Sequence, residues 1–253
     1  MALEQDDWDR HWRHYADSAS TNPAEAYRRR LVLRHLALGD GAHRVLDIGS
    51  GQGDLAAELK RRHPQAEVVG LELSRHGVEV ARAKVPEATF VEHDLLAAGT
   101  PSPGLSGWAT HAVCSEVLEH VDEPAVLLTN ARAFLSPGCR LVVTVPGGPR
   151  SAFDRHIGHR RHYDRAALRE VLERAGLEVD MVAAVGFPFF NLYRLAVVLR
   201  GQKLIEDVAA GDEAPASGLA MAVMRVFGLL FAANLPSSPW GWQLVALARV
   251  PAG

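Results

Sequence analysis

The chain has 253 residues, 48% apolar and 23% charged. At about 150 residues per domain this suits one α/β domain with appendages and excludes disordered and fibrous classes. Lys plus Arg number 27 against 30 Asp plus Glu, a net charge of -3, which disfavours broad attraction to nucleic-acid backbones. Cys114 sits in an apolar run and Cys139 follows a Pro-Gly turn, so there is neither a disulfide framework nor a CxxC clip, and a reducing cytoplasm is expected. The N-terminal MALEQDDWDRHWRHYADS lacks the apolar segment of a signal or anchor.

From the N-terminus, Asp6 to Leu38 reads as one or two helices, with Trp8, Trp12 and Tyr15 on one face, placed either for core packing or as a lid. Short β-like runs then follow (RVLDIG, AEVVGLEL, ATFVEHD, THAVCSE, CRLVVTVP), separated by amphipathic stretches with turn signals at Pro64, Pro86 and Pro137-Gly138. That alternation calls for a parallel sheet covered by helices. Asp164 caps a helix that Gly176 ends, Leu177 to Val185 reads as a sixth strand, and Trp242 to Val250 as a seventh. The expected organisation is a single domain over 1-253: N-terminal helices over 1-40, a core over 41-186, a helical insertion over 187-241 and the last strand over 242-250. The insertion's GLAMAVMRVFGLLFAAN is apolar on nearly every face, yet it is shorter than a bilayer span of about 20 residues and carries Arg225. It reads as buried or dimerising, or as a contact for a membrane surface or lipidic acceptor.

VLDIGSGQG runs from a strand through a Gly-rich turn to a helix at Asp54. Its glycines, Gly49, Gly51 and Gly53, do not make the GxGxxG of a dinucleotide site. Asp47 would oppose a pyrophosphate but suits a ligand with an ammonium group. Glu72 ends the next strand about 20 residues on, where a carboxylate reaches ribose hydroxyls, and Asp94 ends the third. These residues resemble class I S-adenosylmethionine-dependent methyltransferases, whose first motif is an acid followed by GxGxG. The resemblance implies an α/β, Rossmann-like seven-stranded sheet with N-terminal helices and an α-helical insertion before the last strand. It also implies S-adenosylmethionine as cofactor, held by Asp47, Gly49, Ser50, Gly51, Gly53, Glu72, Leu73, Asp94, Leu95 and Ser115. In that family Asp94 accepts from the adenine amino group and Leu95 supplies a backbone contact.

The fourth strand leads into SEVLEHVDEP. Glu116, Glu119 and His120 are spaced i, i+3 and i+4, so a helical turn after the strand would project all three from one face. Such a set could hold a divalent cation, with His120 otherwise a general base, or it could merely cap and pack the turn. The run looks like that of ubiquinone-biosynthesis O-methyltransferases and small-RNA 2′-O-methyltransferases, where such residues bind a catalytic divalent metal. In the RNA enzymes RHxxHR follows, reproduced by Arg155 to Arg160, which implies His159 as a further ligand to Mg2+ or another divalent cation. The GHxRxY pattern shapes the acceptor pocket in other members, and Tyr15, His156, His159, His162 and Tyr163 are the expected acceptor residues. The histidines elsewhere, His93 among them, read as surface or capping groups. The absence of an NPPY-type motif favours oxygen over nitrogen as the acceptor atom. The expected reaction is O-methylation of a small hydroxylated molecule such as a sugar, phenol or lipid-linked intermediate, by a cytoplasmic protein, either monomeric or a homodimer. An RNA 2′-O-methyltransferase and a non-catalytic, cofactor-binding dimeric partner are the alternatives.

Overall fold

The computed structural model describes residues 8–9, 22–97, 101–209 and 218–252. Seven strands form one sheet in the order β3-β2-β1-β4-β5-β7-β6: β1 (Arg44–Ile48), β2 (Glu67–Glu72), β3 (Thr89–Glu92), β4 (Ala109–Ser115), β5 (Leu135–Pro146), β6 (Glu178–Val185) and β7 (Gln243–Arg249). The first five are parallel, and β7 inserts antiparallel between β5 and β6. The expected Rossmann-like, seven-stranded architecture is the one found. Chain order reverses between β1 and β4, and at such a switch point the carboxyl ends of the strands open a crevice for a ligand.

Helices cover both faces: α1 (Pro23–Leu36), α2 (Asp54–Arg62), α3 (Arg75–Lys84), α4 (Pro124–Ala131), α5 (Ala152–His156), α6 (Arg165–Arg174), α7 (Phe189–Ala209) and α8 (Gly218–Leu230). Local chemistry sets their starts. Asn22, Ser74 and Asp164 accept backbone N–H bonds at the heads of α1, α3 and α6, and Ser151 with Asp154 forms a capping box on α5. One face of the sheet packs Leu46, Ile48, Leu71, Leu141 and Val143 beneath α4 and α6. The other packs Val45, Val68, Val113 and Val142 beneath α1, α2 and α3. Strands buried on both faces read as unbroken apolar runs, which is why the sequence showed little alternation there.

The insertion is partly buried: Phe190, Tyr193, Phe227 and Phe231 stack among themselves and on Tyr27, while Leu192, Leu195 and Leu199 on α7 and Val223, Val226 and Leu229 on α8 are exposed. Among the described residues no helix is long and apolar enough to cross a membrane. Of the proposed aromatic face at the N-terminus, Trp8 is described, whereas Trp12 and Tyr15 lie outside the described residues.

Candidate active site

At the carboxyl ends of β1 and β2 the chain turns through Gly49, Gly51 and Gly53, all with positive φ of 71°, 52° and 79°, a region open to glycine at no steric cost. A Cβ on Gly49 would lie 2.4 Å from Val117 Cγ2, so the glycine also lets the turn after β4 close in. Gly49 N and Ser50 N donate to Leu71 O (2.8 and 3.0 Å). The Glu72 carboxylate accepts from Gly51 N (2.8 Å) and Ser74 N (2.9 Å), tying the Gly-rich turn to the head of α3. Asp47 is buried beside it, and burial, with the neighbouring charge of Glu72, pushes its carboxyl up to about 7. Asp94 caps Leu96 N (2.8 Å). Ile48, Gly49, Leu71, Glu72, Leu73, His93, Asp94, Leu95, Glu116, Val117 and His120 line one cleft, closed on another side by Trp8. Asp9 accepts from Ser74 Oγ and, at 3.1 Å, from His76 N, holding that short N-terminal segment to the head of α3.

Beyond the cleft a turn of 3₁₀ helix, Leu118–His120, is clamped to the loop after α5. Arg160 N donates to Glu119 O (2.8 Å), Tyr163 OH to Leu118 O (2.9 Å), and Arg160 pairs with Asp122. The clamp brings Glu119, His120 and His159 together, with one donor atom from each within 4.8 Å of the others. All three are buried, Glu119 completely, and among the described residues neither Glu119 carboxylate oxygen has a hydrogen-bond partner. Burial, reinforced by Glu116, pushes the Glu119 carboxyl well up. Burial and His120 push His159 down to about 2. The His120 ring meets His159 edge-on at 4.7 Å and Trp8 at 4.8 Å. A carboxylate buried without a partner costs several kcal/mol if ionised, so this arrangement calls for a proton or a cation. One carboxylate and two neutral imidazoles are a fitting donor set for a first-row divalent ion.

A family model for a methyltransferase domain matches residues 12–182. The chain belongs to the methyltransferase-domain family. S-adenosylmethionine is the cofactor of this family. Demethylmenaquinone methyltransferase of Thermus thermophilus is 35% identical over 132 residues, covering 50% of this chain and 57% of that one. Ubiquinone biosynthesis O-methyltransferase of Aeromonas salmonicida is 27% identical over 169 residues, covering 60% and 70%. The chain thus spans less than two thirds of the length of the first of these relatives. The [4+2]-cyclase SpnF superposes with a TM-score of 0.64 at 21% identity, covering 97% of this chain and 95% of that one, a likeness of fold alone.

In this methyltransferase domain the residues singled out for the cofactor lie at or just after the carboxyl ends of β1 to β4; Ser115, the last residue of β4, is hydrogen-bonded to Thr144 (2.8 Å). The expectation that Glu116, Glu119 and His120 share one helical face needs correction. Glu116 takes a left-handed conformation (φ 57°), which turns its side chain away from the 3₁₀ turn. Its carboxylate forms an ion pair with Arg28 (Nε at 3.0 Å) and accepts from Gln243 Nε2 (2.8 Å) and Thr144 Oγ1 (3.0 Å). His156 is exposed on α5, Tyr163 is buried under the 3₁₀ turn, and His162 bonds to His159. His93, expected among surface or capping groups, lines the cleft, and its place directly before Asp94 is the local signal for this. Arg28, on α1, was missed altogether, because nothing local links it to Glu116.

Proposed function

We propose that this chain transfers the methyl group of S-adenosylmethionine to a hydroxyl of a small molecule, assisted by a divalent cation held by Glu119, His120 and His159. One observation carries the reading: His120 lines the cleft and also belongs to the buried cluster around Glu119, whose carboxylate has no hydrogen-bond partner among the described residues. Methyl transfer is an in-line displacement, so the protein mostly aligns donor and acceptor and excludes water. Asp47 faces the cofactor's ammonium group, Glu72 its ribose and Asp94 its adenine, while Trp8 covers the cleft. A hydroxyl must also lose its proton, and the cluster, joined to the cleft through His120, supplies groups suited to take it. A divalent cation would supply Lewis acidity that lowers the hydroxyl's pKa. The imidazole donors favour manganese, cobalt, iron or zinc over magnesium, which prefers all-oxygen sites. Glu116, engaged by Arg28, acts as a wall of the cleft.

The ubiquinone relative's name gives an O-methyltransferase, in keeping with oxygen as acceptor. The exposed apolar faces of α7 and α8 support an acceptor that is hydrophobic or lipid-borne. The net charge of -3 speaks against RNA. The test is methylation of a panel of phenols, sugars and quinol precursors with chelator and added metal. EDTA should abolish turnover and manganese or cobalt restore it, with binding of S-adenosylhomocysteine preserved. If chelation does nothing while His120→Ala lowers turnover about 10²–10⁴-fold, His120 is a general base. Normal turnover in both His120→Ala and His159→Ala overturns both versions.

A further inference from the structure

His162 lies behind His159, away from the cleft. Its Nδ1 is 3.1 Å from Gly148 O, and its Nε2 is 3.2 Å from His159 Nδ1. A carbonyl has no proton to give, so Nδ1 of His162 carries one and donates it. The neutral ring then leaves Nε2 bare and able only to accept, so the proton on this contact belongs to His159 Nδ1. The remaining nitrogen of His159, Nε2, therefore presents a lone pair. The two ends of this chain of bonds are fixed independently. Gly148 has φ 69°, and a Cβ there would lie 2.6 Å from Trp242 Cγ, so its carbonyl is set by a position that admits only glycine. Asp154 stands 4.0 Å from His159 Nδ1 and 3.9 Å from His162 Nε2. Its Oδ2 accepts from Arg194 Nη2 (2.9 Å) and from Ser151 N and Oγ (both 2.7 Å), and its Oδ1 from Arg194 Nη2 (3.0 Å). At 4.0 and 3.9 Å Asp154 is hydrogen-bonded to neither ring.

We propose that His162 is a positioning residue: relaying the Gly148 carbonyl, it fixes His159 as the Nδ1–H tautomer and aims the bare Nε2 at the Glu119–His120 cluster. The inference rests on the reading of that cluster as a cation site. Metal-binding histidines are commonly held this way by a partner on the other ring nitrogen; here the partner is a second histidine, itself oriented by backbone.

Two measurements separate this inference from the reading beneath it. In the full chain labelled with ¹⁵N-histidine, the imidazole resonances that vanish in His159→Gln should show Nδ1 protonated and Nε2 bare; the opposite pattern, or a doubly protonated His162, overturns the relay whatever the metal does. In cobalt(II) titrations His162→Phe should bind about 10–100-fold more weakly than wild type. His162→Gln, whose Oε1 still accepts, should recover most of the loss, with S-adenosylhomocysteine affinity unchanged as the check on folding. Wild-type cobalt affinity in His162→Phe, alongside loss in Glu119→Gln, overturns the relay and leaves the cation site standing. No cobalt binding by the wild type overturns the cation site, and the tautomer spectrum still decides the relay. Should His162→Phe fail to fold, that same spectrum decides it on the native chain.

Discussion

Glu119 is a wholly buried carboxylate with no hydrogen-bond partner among the described residues. Structural carboxylates are seldom left so, because desolvation is then uncompensated. Glu119→Gln removes the charge at constant shape. We expect its thermal stability to be equal to or above that of the wild type in the absence of metal, while turnover falls at least 10²-fold. A loss of stability comparable to a core deletion would instead mark Glu119 as a packing residue. Asp47 makes a second residue-level prediction. Its folded carboxyl, near 7, lies above the roughly 3.9 of an unfolded aspartate, so the folded protein holds the proton more tightly. The stability this contributes is complete below about pH 4 and is lost as pH rises through 7. A cofactor ammonium favours the carboxylate, so cofactor affinity should rise between pH 5 and 7 and then level off. Asp47→Asn should bind weakly with a flat profile. Calorimetry across that range checks both slopes, and a wild-type affinity independent of pH would dismiss Asp47 as the ammonium partner.

At the scale of elements, the 3₁₀ turn after β4 matters more than any helix. The spacing of Glu116, Glu119 and His120 was legible, but which of them face the same way was not. One backbone torsion at Glu116 and the clamp from the loop after α5 decide that, and the clamp joins residues about forty positions apart. Tyr163 is part of the clamp through Leu118 O. Tyr163→Phe should cost about 1 kcal/mol in denaturant unfolding, the usual worth of such a bond, and should weaken metal binding more than cofactor binding. The insertion is a second case. Its apolar character was evident, but only packing shows that Phe190, Tyr193, Phe227 and Phe231 turn inward while Leu199 and Leu229 remain 78% and 77% exposed. Leu199→Ser with Leu229→Ser should leave cofactor affinity intact and lower turnover on a hydrophobic acceptor in detergent or vesicles. If light scattering instead shows a wild-type dimer that the double variant dissociates, this face serves a second copy.

Across the whole molecule, α1 and the last strand are tied to the site through Arg28. Its guanidinium donates to Glu25 and Gln243 at 2.6 and 3.1 Å and pairs with the Glu116 carboxylate at 3.0 Å, and it lies 5.9 Å from the centre of the Phe190 ring. Arg28→Met leaves the half-buried Glu116 carboxylate without its cation and should destabilise the fold by roughly 1–3 kcal/mol, the usual cost of an unsatisfied group. Adding Glu116→Gln should recover much of that loss, and a purely additive double variant in urea unfolding would show that the two side chains are not coupled.

The parallel core, the Gly-rich turn and the acids at successive strand ends are legible in the sequence. Each of these depends on contacts within a few residues or on the period of apolar side chains, and such short-range constraints are written locally. The sequence also marked Glu119, His120 and His159 as candidates by residue type. Only the tertiary structure decided that His159 joins Glu119 and His120 while Glu116 leaves them for Arg28, that His93 faces the cleft, and that His162 stands behind His159. Those outcomes hang on the torsion at Glu116, on a clamp between distant loops and on an arginine from the first helix. They are settled by burial and charge pairing among residues far apart in the chain, where no local pattern records which partner a side chain will meet.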